Sequence, residues 1–472
     1  MKNLTHLTAM LVILALALSM AACSNGSNST QGESDTNDPG TDSAIPPEIE
    51  HIVNPDESFF DGETLTIAVR SDVLVKPFAN RYMRENPGVT IEILSYEEEL
   101  EKDGNYFHLR EQIGTLFMAG SGPVLLDDAL MDYHDPRIAR YFFDWFPVMR
   151  ADPNFSEDDW FMNVFHAGSM GGKLLAFPTK FYYEIATANS TISGLPEALA
   201  AHEDITITEL VKLHRTVTDD VEYYLEPSSG LGYIVRQSLH NYYDLETGWV
   251  DFNNAQFINL LIEHKDLLSP DGPIWHGYVV SPSEEKALSE RYSFFLADSL
   301  NVQYHLDFEE SLFVEPTPVV NDNGELQIIP IDAYLLNANA TPAQQALAWD
   351  FVQFTMQPEN YSLPVIGRHP TNRGLLRHVA EKFLPEEIDD FYIRGFGWKL
   401  GCTMEEAVEG IIARMTELGE MEMSHLYAYP DVIAAILNEN LSHYHDGLVS
   451  AEQTAANMQN QFELILMEIG VR

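Results

Sequence analysis

The sequence is short of cysteine and of positive charge. Only Cys23 and Cys402 occur among its 472 residues, so no disulfide framework is available and the fold must rest on its core. Lys and Arg total 26 against 73 Asp and Glu, a formal net charge of −47. Such a surface repels a phosphate backbone and anionic lipid at long range, which excludes nucleic-acid partners and direct lying on a membrane. The most apolar stretch, Leu11 to Ala22, runs for about 12 residues, short of the roughly 20 that a spanning helix needs. Catalytic signatures are missing too: there is no Gly-x-Ser-x-Gly elbow, no His-Glu-x-x-His and no phosphate-cradling Gly-rich loop ending in Lys-Ser/Thr. Carboxylates are so numerous that pairs at glycosidase spacing arise by chance and argue nothing.

What is present starts with Cys23. It follows Met1-Lys2-Asn3, the apolar run and the small residues Ala21-Ala22, and it precedes Ser24-Asn25-Gly26-Ser27. That layout reads as a secretory signal peptide over residues 1–22. A Cys directly after two alanines resembles a bacterial lipoprotein signal, which implies that Cys23 becomes a lipidated N-terminus on the outer face of the cell membrane. Removing residues 1–22 takes away only Lys2, so the mature charge is −47 − 1 = −48. Residues 24–60 are rich in Ser, Asn, Asp, Gly and Pro and hold no Lys or Arg. They read as an extended, self-repelling acidic tether.

Order is expected from about Glu63. Leu65–Val69 reads as a buried strand ending at Arg70-Ser71-Asp72, and Val75–Glu85 as a helix stopped by Asn86-Pro87-Gly88. Val89–Leu94 alternates as a second strand, Tyr106–Met118 is a second helix closed by Ala119-Gly120-Ser121-Gly122-Pro123, and Val124–Leu126 is a short strand running into Asp127-Asp128. This order implies an α/β fold with a parallel sheet. Ligands of such sheets sit beyond the carboxyl ends of the strands, which places Arg70, Ser71, Asp72, Asp127 and Asp128 on one rim.

The same run resembles the maltose-binding-protein-like, family 1 extracellular solute-binding proteins of ABC importers. Further segments match in order: Gly171–Pro178, Ala346–Phe354, Arg368–Arg373 and Gly447–Ala455. The resemblance implies a two-lobed, periplasmic-binding-protein-like clamshell with a cleft and a multi-strand hinge. Lobe one would hold residues 61–178 with 318–367, and lobe two residues 182–315 with 370–472. It implies no catalysis, cofactor or metal. The expected product is a monomeric, lipid-anchored receptor that delivers a solute, an oligosaccharide first of all, to ABC permease subunits. The same fold with a peptide or an organic cation as ligand is the alternative, and an exported glycoside hydrolase a further one.

A sugar site needs aromatic platforms and fixed polar groups. The rim residues are candidates, and Tyr182 and Tyr183 would face the cleft just past the crossing at Pro178. Adjacent strand residues point to opposite faces, so one of this pair is expected in the core. In lobe two, Tyr233, Trp275, Tyr427 and Tyr429 are candidate platforms, with Asp298 and Ser299 as polar contacts. Leu300 stands where several family members carry a stacking Trp, so a maltose-like platform is not carried over. His443-Tyr444-His445-Asp446 and Asp132-Tyr133-His134-Asp135 look metal-like. However, His at i and i+2 do not share a helix face, and both segments read as solvated helix ends. Phe391–Glu422, around Trp398, reads as a helical insert without a family counterpart.

Overall fold

The computed structural model describes residues 60 and 62–471, apart from 104–105, 217–223, 226–230, 266–291, 299–312, 361–368 and most of 376–415. Cys23, the tether, Trp275, Ser299, Leu300 and most of the insert around Trp398 therefore lie outside the described residues.

The strand–helix order expected from the sequence is present. β1 (Thr64–Val69) leads to α1 (Val75–Glu85), β2 (Thr90–Ser95), α2 (Tyr106–Met118) and β3 (Leu125–Asp127). β1 pairs in parallel with both β2 and β3. Its residues Leu65, Ile67 and Ala68 are fully buried, as a strand covered on both faces requires. α1 stops where Asn86 N–H closes on Tyr82 O at 2.8 Å, since Pro87 cannot continue the ladder. Gly122 is required by a close approach, because a Cβ there would stand 2.9 Å from the Phe117 ring. A short acidic helix, Glu97–Asp103, precedes α2.

The sheet continues through long antiparallel strands. β4 (Ala176–Asn189) pairs with β5 (Tyr292–Asp298), β6 (Phe313–Val320) and β7 (Leu326–Leu336), while β7 also pairs with β3. α3 (Leu231–Gln237) lies between β4 and β5 in the chain, and α4 (Pro342–Thr355) follows β7. α4 opens on a Thr341/Gln344 capping box with Pro342 in its first turn. β8 (His369–Pro370) adds to β4, and β9 (Met423–His425) runs parallel to β7. The chain ends in α5 (Asp431–His445) and α6 (Ala451–Glu468), the latter opened by a Ser450/Gln453 capping box.

Apolar packing divides into two lobes. In one, Leu65, Val75, Trp145, Phe177 and Trp349 share a cluster that also takes in Leu375. In the other, Leu231, Phe257, Ile433, Leu437 and Phe462 form the largest cluster, and Ala186, Ile205, Phe294 and Val319 a second. β4 passes from Phe177 in the first lobe to Ala186 in the second, and β7 returns from Ile329 to Leu336. These two strands carry the chain between lobes.

Candidate functional site

The site begins where β1 and β3 end side by side. Arg70 follows β1 directly, and its Nε meets Asp127 Oδ2 of β3 at 2.8 Å. Its Nη2 lies 3.6 Å from Asp332 Oδ1 on β7, and Asp332 Oδ2 meets Lys180 Nζ of β4 at 3.0 Å. Asp332 is the one non-glycine at positive φ among the described residues, at 49°, a region that Asp tolerates better than most residues. The β7–β4 pairing skips Asp332 between Ile331 and Ala333 and keeps its register on either side, and Thr179 Oγ1 donates to Asp332 O at 2.8 Å there. An otherwise apolar strand thereby presents a carboxylate to two cations.

Burial opposes the Arg70 charge, but the Asp127 carboxylate and its hydrogen bond outweigh it and hold the guanidinium protonated. Asp128, the next residue, behaves oppositely. Burial pushes its carboxyl well above the usual range, and the adjacent Asp127 charge adds to that while Arg70 opposes it. One Asp128 oxygen accepts from Ala333 N at 3.3 Å.

The paired groups in front of Asp128 line a cavity of about 300 Å³. Arg70, Lys180, Asp127 and Asp332 form its charged wall, two cations against two carboxylates, and all four are paired. Leu74, Val75, Phe78, Tyr106, Tyr334 and Met356 form its apolar wall. Such a cavity offers flat apolar contact on one side and a fixed array of donors and acceptors on the other, with no net charge to place against an ion.

No family model matches this sequence, and no curated protein matches it. Solved structures do. The sugar-binding protein MalE of Xanthomonas citri aligns with a TM-score of 0.59 at 14% identity, covering 86% of this chain and 98% of that one. A periplasmic oligogalacturonide binding protein of Yersinia enterocolitica gives 0.58 at 14%, covering 87% and 100%. A cyclic alpha-maltosyl-1,6-maltose binding protein of Arthrobacter globiformis gives 0.55 at 14%, covering 86% and 99%. The chain has the fold of the maltose-binding-protein-like solute receptors. In that clamshell, the cavity occupies the lobe-one rim and the hinge strands.

The structure brings Arg70, Ser71 and Asp127 together at the cavity, and Asp128 immediately behind it. Asp72 is outside the lining, its carboxylate paired with Lys76 Nζ at 2.8 Å at the start of α1. Ser71 Oγ donates to Glu97 Oε2 at 3.0 Å. Of the hinge tyrosines, Tyr183 is buried and stacks on His369 with ring centroids 5.3 Å apart. Tyr182 is half-buried against the cluster around Ala186 and Ile205. Tyr429 lines a separate cavity of about 410 Å³ with Arg236, Asn321 and Ser424. Tyr427 is exposed, with the Arg236 guanidinium 5.8 Å over its ring. Tyr233 lies in α3 and Asp298 ends β5; their side chains are outside the described residues.

One expectation is corrected. Asp132-Tyr133-His134-Asp135 is not a solvated helix end, since Tyr133, His134 and Asp135 are all buried. Asp135 caps the helix Pro136–Ala139 by accepting from Arg137 N, and the His134 ring lies 5.5 Å from His425, which comes from β9. That strand covers the segment, which a reading of local polarity does not foresee. In the second segment His443 and Asp446 lie exposed at the end of α5, but Tyr444 between them is buried, its hydroxyl donating to Leu261 O at 3.2 Å. Sequence reasoning also missed Lys180 and Asp332. Asp332 is the lone charge in an otherwise apolar strand, Lys180 is a charge in a largely buried one, and a buried charge requires a partner. That signal was available.

Proposed function

We propose that this chain is an extracellular solute receptor, tethered through a lipid on Cys23, which captures an uncharged oligosaccharide and delivers it to an ABC permease. The carrying observation is the charge balance of the cavity on a clamshell fold. Its two cations and two carboxylates neutralise one another, and Asp128 is biased toward its neutral form. An anion or organic cation entering would be desolvated against a wall already satisfied, whereas hydroxyls can join hydrogen bonds that exist. Phe78, Tyr106 and Tyr334 supply apolar surface for sugar faces. The three proteins compared above are named for sugar or oligosaccharide binding, which supports a carbohydrate; since the oligogalacturonide among them is acidic, the neutral character rests on the charge balance of the cavity.

The lobes in this reading are 61–178 with the stretch from the middle of β7 to 367, and 182–315 with the C-terminal part; the return expected at 318 moves into β7 because Val319 and Ile329 pack in the lobe-two cluster, and we place the last crossing after Leu375 because that residue packs in the lobe-one core. Residues 23–60 are the working length of the tether. Solute held between lobes favours closure only by binding the closed form better than the open one.

A thermal-shift panel on the chain from Glu63, run over neutral oligosaccharides, peptides and organic cations, tests the assignment. Neutral sugars raise the melting temperature by mass action. Shifts from peptides or cations alone would replace the ligand class, and turnover of a glycoside would replace the receptor by an enzyme.

A further inference from the structure

We propose that Arg110, Asp132 and Asp431 form a proton-sensitive latch between the lobes, an inference that rests on the receptor reading because it regulates closure of the same clamshell. Arg110 belongs to α2, whose Leu109 and Ile113 are in a lobe-one cluster. Asp431 opens α5, whose Ile433 and Leu437 are in the lobe-two core. The Arg110 guanidinium pairs with the Asp431 carboxylate, and its Nε is fixed in lobe one by Ala129 O at 3.0 Å. Asp431 N donates to Asp132 Oδ2 at 2.9 Å. Asp132 sits between Met131 and Tyr133, both packed in the lobe-one cluster. Two hydrogen-bonded links thus join the lobes at one point.

The charges there do not balance. One guanidinium faces two carboxylates. The neighbours do not make up the difference. Asp135, on the same loop as Asp132, is engaged by Arg137, which also faces Glu468 of α6. Burial pushes both His134 and His425 down, so neither imidazole adds positive charge at neutral pH. Burial first, and the Asp431 charge second, push the Asp132 carboxyl up to about 7.

Separating the lobes returns Asp132 toward water and toward an ordinary carboxylate value of about 4. Closure therefore takes up a proton between about pH 4 and 7. Its sign follows from the raised value: the latched form is favoured fully at the acid end of that window and loses its advantage as pH rises through about 7. The closed-to-open ratio changes by up to about tenfold per pH unit inside the window. Neither Asp132 nor Asp431 lines the cavity, so solute affinity feels the latch only through closure.

The test reads closure directly, without solute. Spin labels go on Met118→Cys and Leu464→Cys, exposed positions in lobe one and lobe two, in the full mature chain carrying Cys23→Ala and Cys402→Ser. Interlobe distances are measured from pH 5 to 8.5. The short-distance population should fall several-fold as pH rises. Asp132→Asn should hold it high throughout, Asp431→Asn should flatten the profile, and Arg110→Ala should lower it at every pH. A wild-type profile in Asp132→Asn, or no pH response at all, overturns the latch. Labels that move on adding maltotriose or another neutral oligosaccharide but not with pH leave the receptor standing and remove only the latch. Labels that never move overturn both.

Discussion

Arg70, at the end of β1, reaches Asp332 in the middle of β7 at 3.6 Å, and through Asp332 it is linked to Lys180 on β4. A rim residue of lobe one is thereby tied to the two strands that pass between lobes. The contact makes the cavity wall and the hinge one charged unit, so substitutions there should change both binding and stability.

Asp332→Asn leaves Lys180, only 7% exposed, without its carboxylate. Breaking a buried pair on one side costs about 3–5 kcal/mol. Asp332 is partly exposed at 22%, so solvent screening brings the expected loss to about 2 kcal/mol. Urea unfolding measures it, and a Lys180→Met partner substitution should recover part of the loss.

Asp128 predicts a pH dependence. Its folded-state carboxyl is raised by burial and by Asp127, so the folded state holds a proton that the unfolded chain releases. That contribution is present below the ordinary carboxylate value of about 4 and is lost as pH rises toward the folded value. Stability measured in urea from pH 4 to 8 should fall less steeply in Asp128→Asn than in wild type.

Within the rim, position separates two acids that look alike in the sequence. Asp127→Ala removes a lining carboxylate bound to Arg70 and should weaken sugar binding tenfold or more, about 1.4 kcal/mol. Asp72→Ala removes a carboxylate paired with Lys76 outside the lining and should change affinity less than threefold. Calorimetric titration distinguishes them, with circular dichroism to confirm that both variants fold.

Trp349, 2% exposed, donates from Nε1 to Asp152 Oδ2 at 2.7 Å and packs edge-on to Phe177. Trp349→Ala should destabilise by about 3–5 kcal/mol. Trp349→Phe should lose less, because part of the aromatic volume stays and Asp152, though it loses the indole donor, keeps Gln353 Nε2 at 2.7 Å.

How far the sequence is legible depends on how local the signal is. β1, α1 and α2 carry their own periodicity and stop residues, and α6 carries its cap in Ser450 and Gln453, so all four can be read directly. Glu97–Asp103 is nearly all polar and shows no apolar stripe, so nothing marked it as a helix. Arg70 and Asp127 could be placed on one rim because parallel strands bring their carboxyl ends together. The Lys180–Asp332 bond spans 152 residues; each charge announces locally that it needs a partner, but nothing local says which, and the positive φ of Asp332 leaves no trace of its own. Tyr183, named as a platform beside Tyr182, is occupied by His369, which arrives from β8. The burial of His134 likewise depends on β9 from the far end of the chain.

The central claim is that a charge-balanced cavity in this clamshell captures a neutral oligosaccharide. Isothermal titration of the mature chain with a panel of neutral oligosaccharides of several linkages, against oligogalacturonides of the same lengths, tests it most directly. The account predicts saturable one-to-one binding to a neutral ligand, weakened in Arg70→Ala, and no heat of binding from the acidic series. Binding confined to the acidic oligomers, or neutral binding untouched by Arg70→Ala, would contradict it.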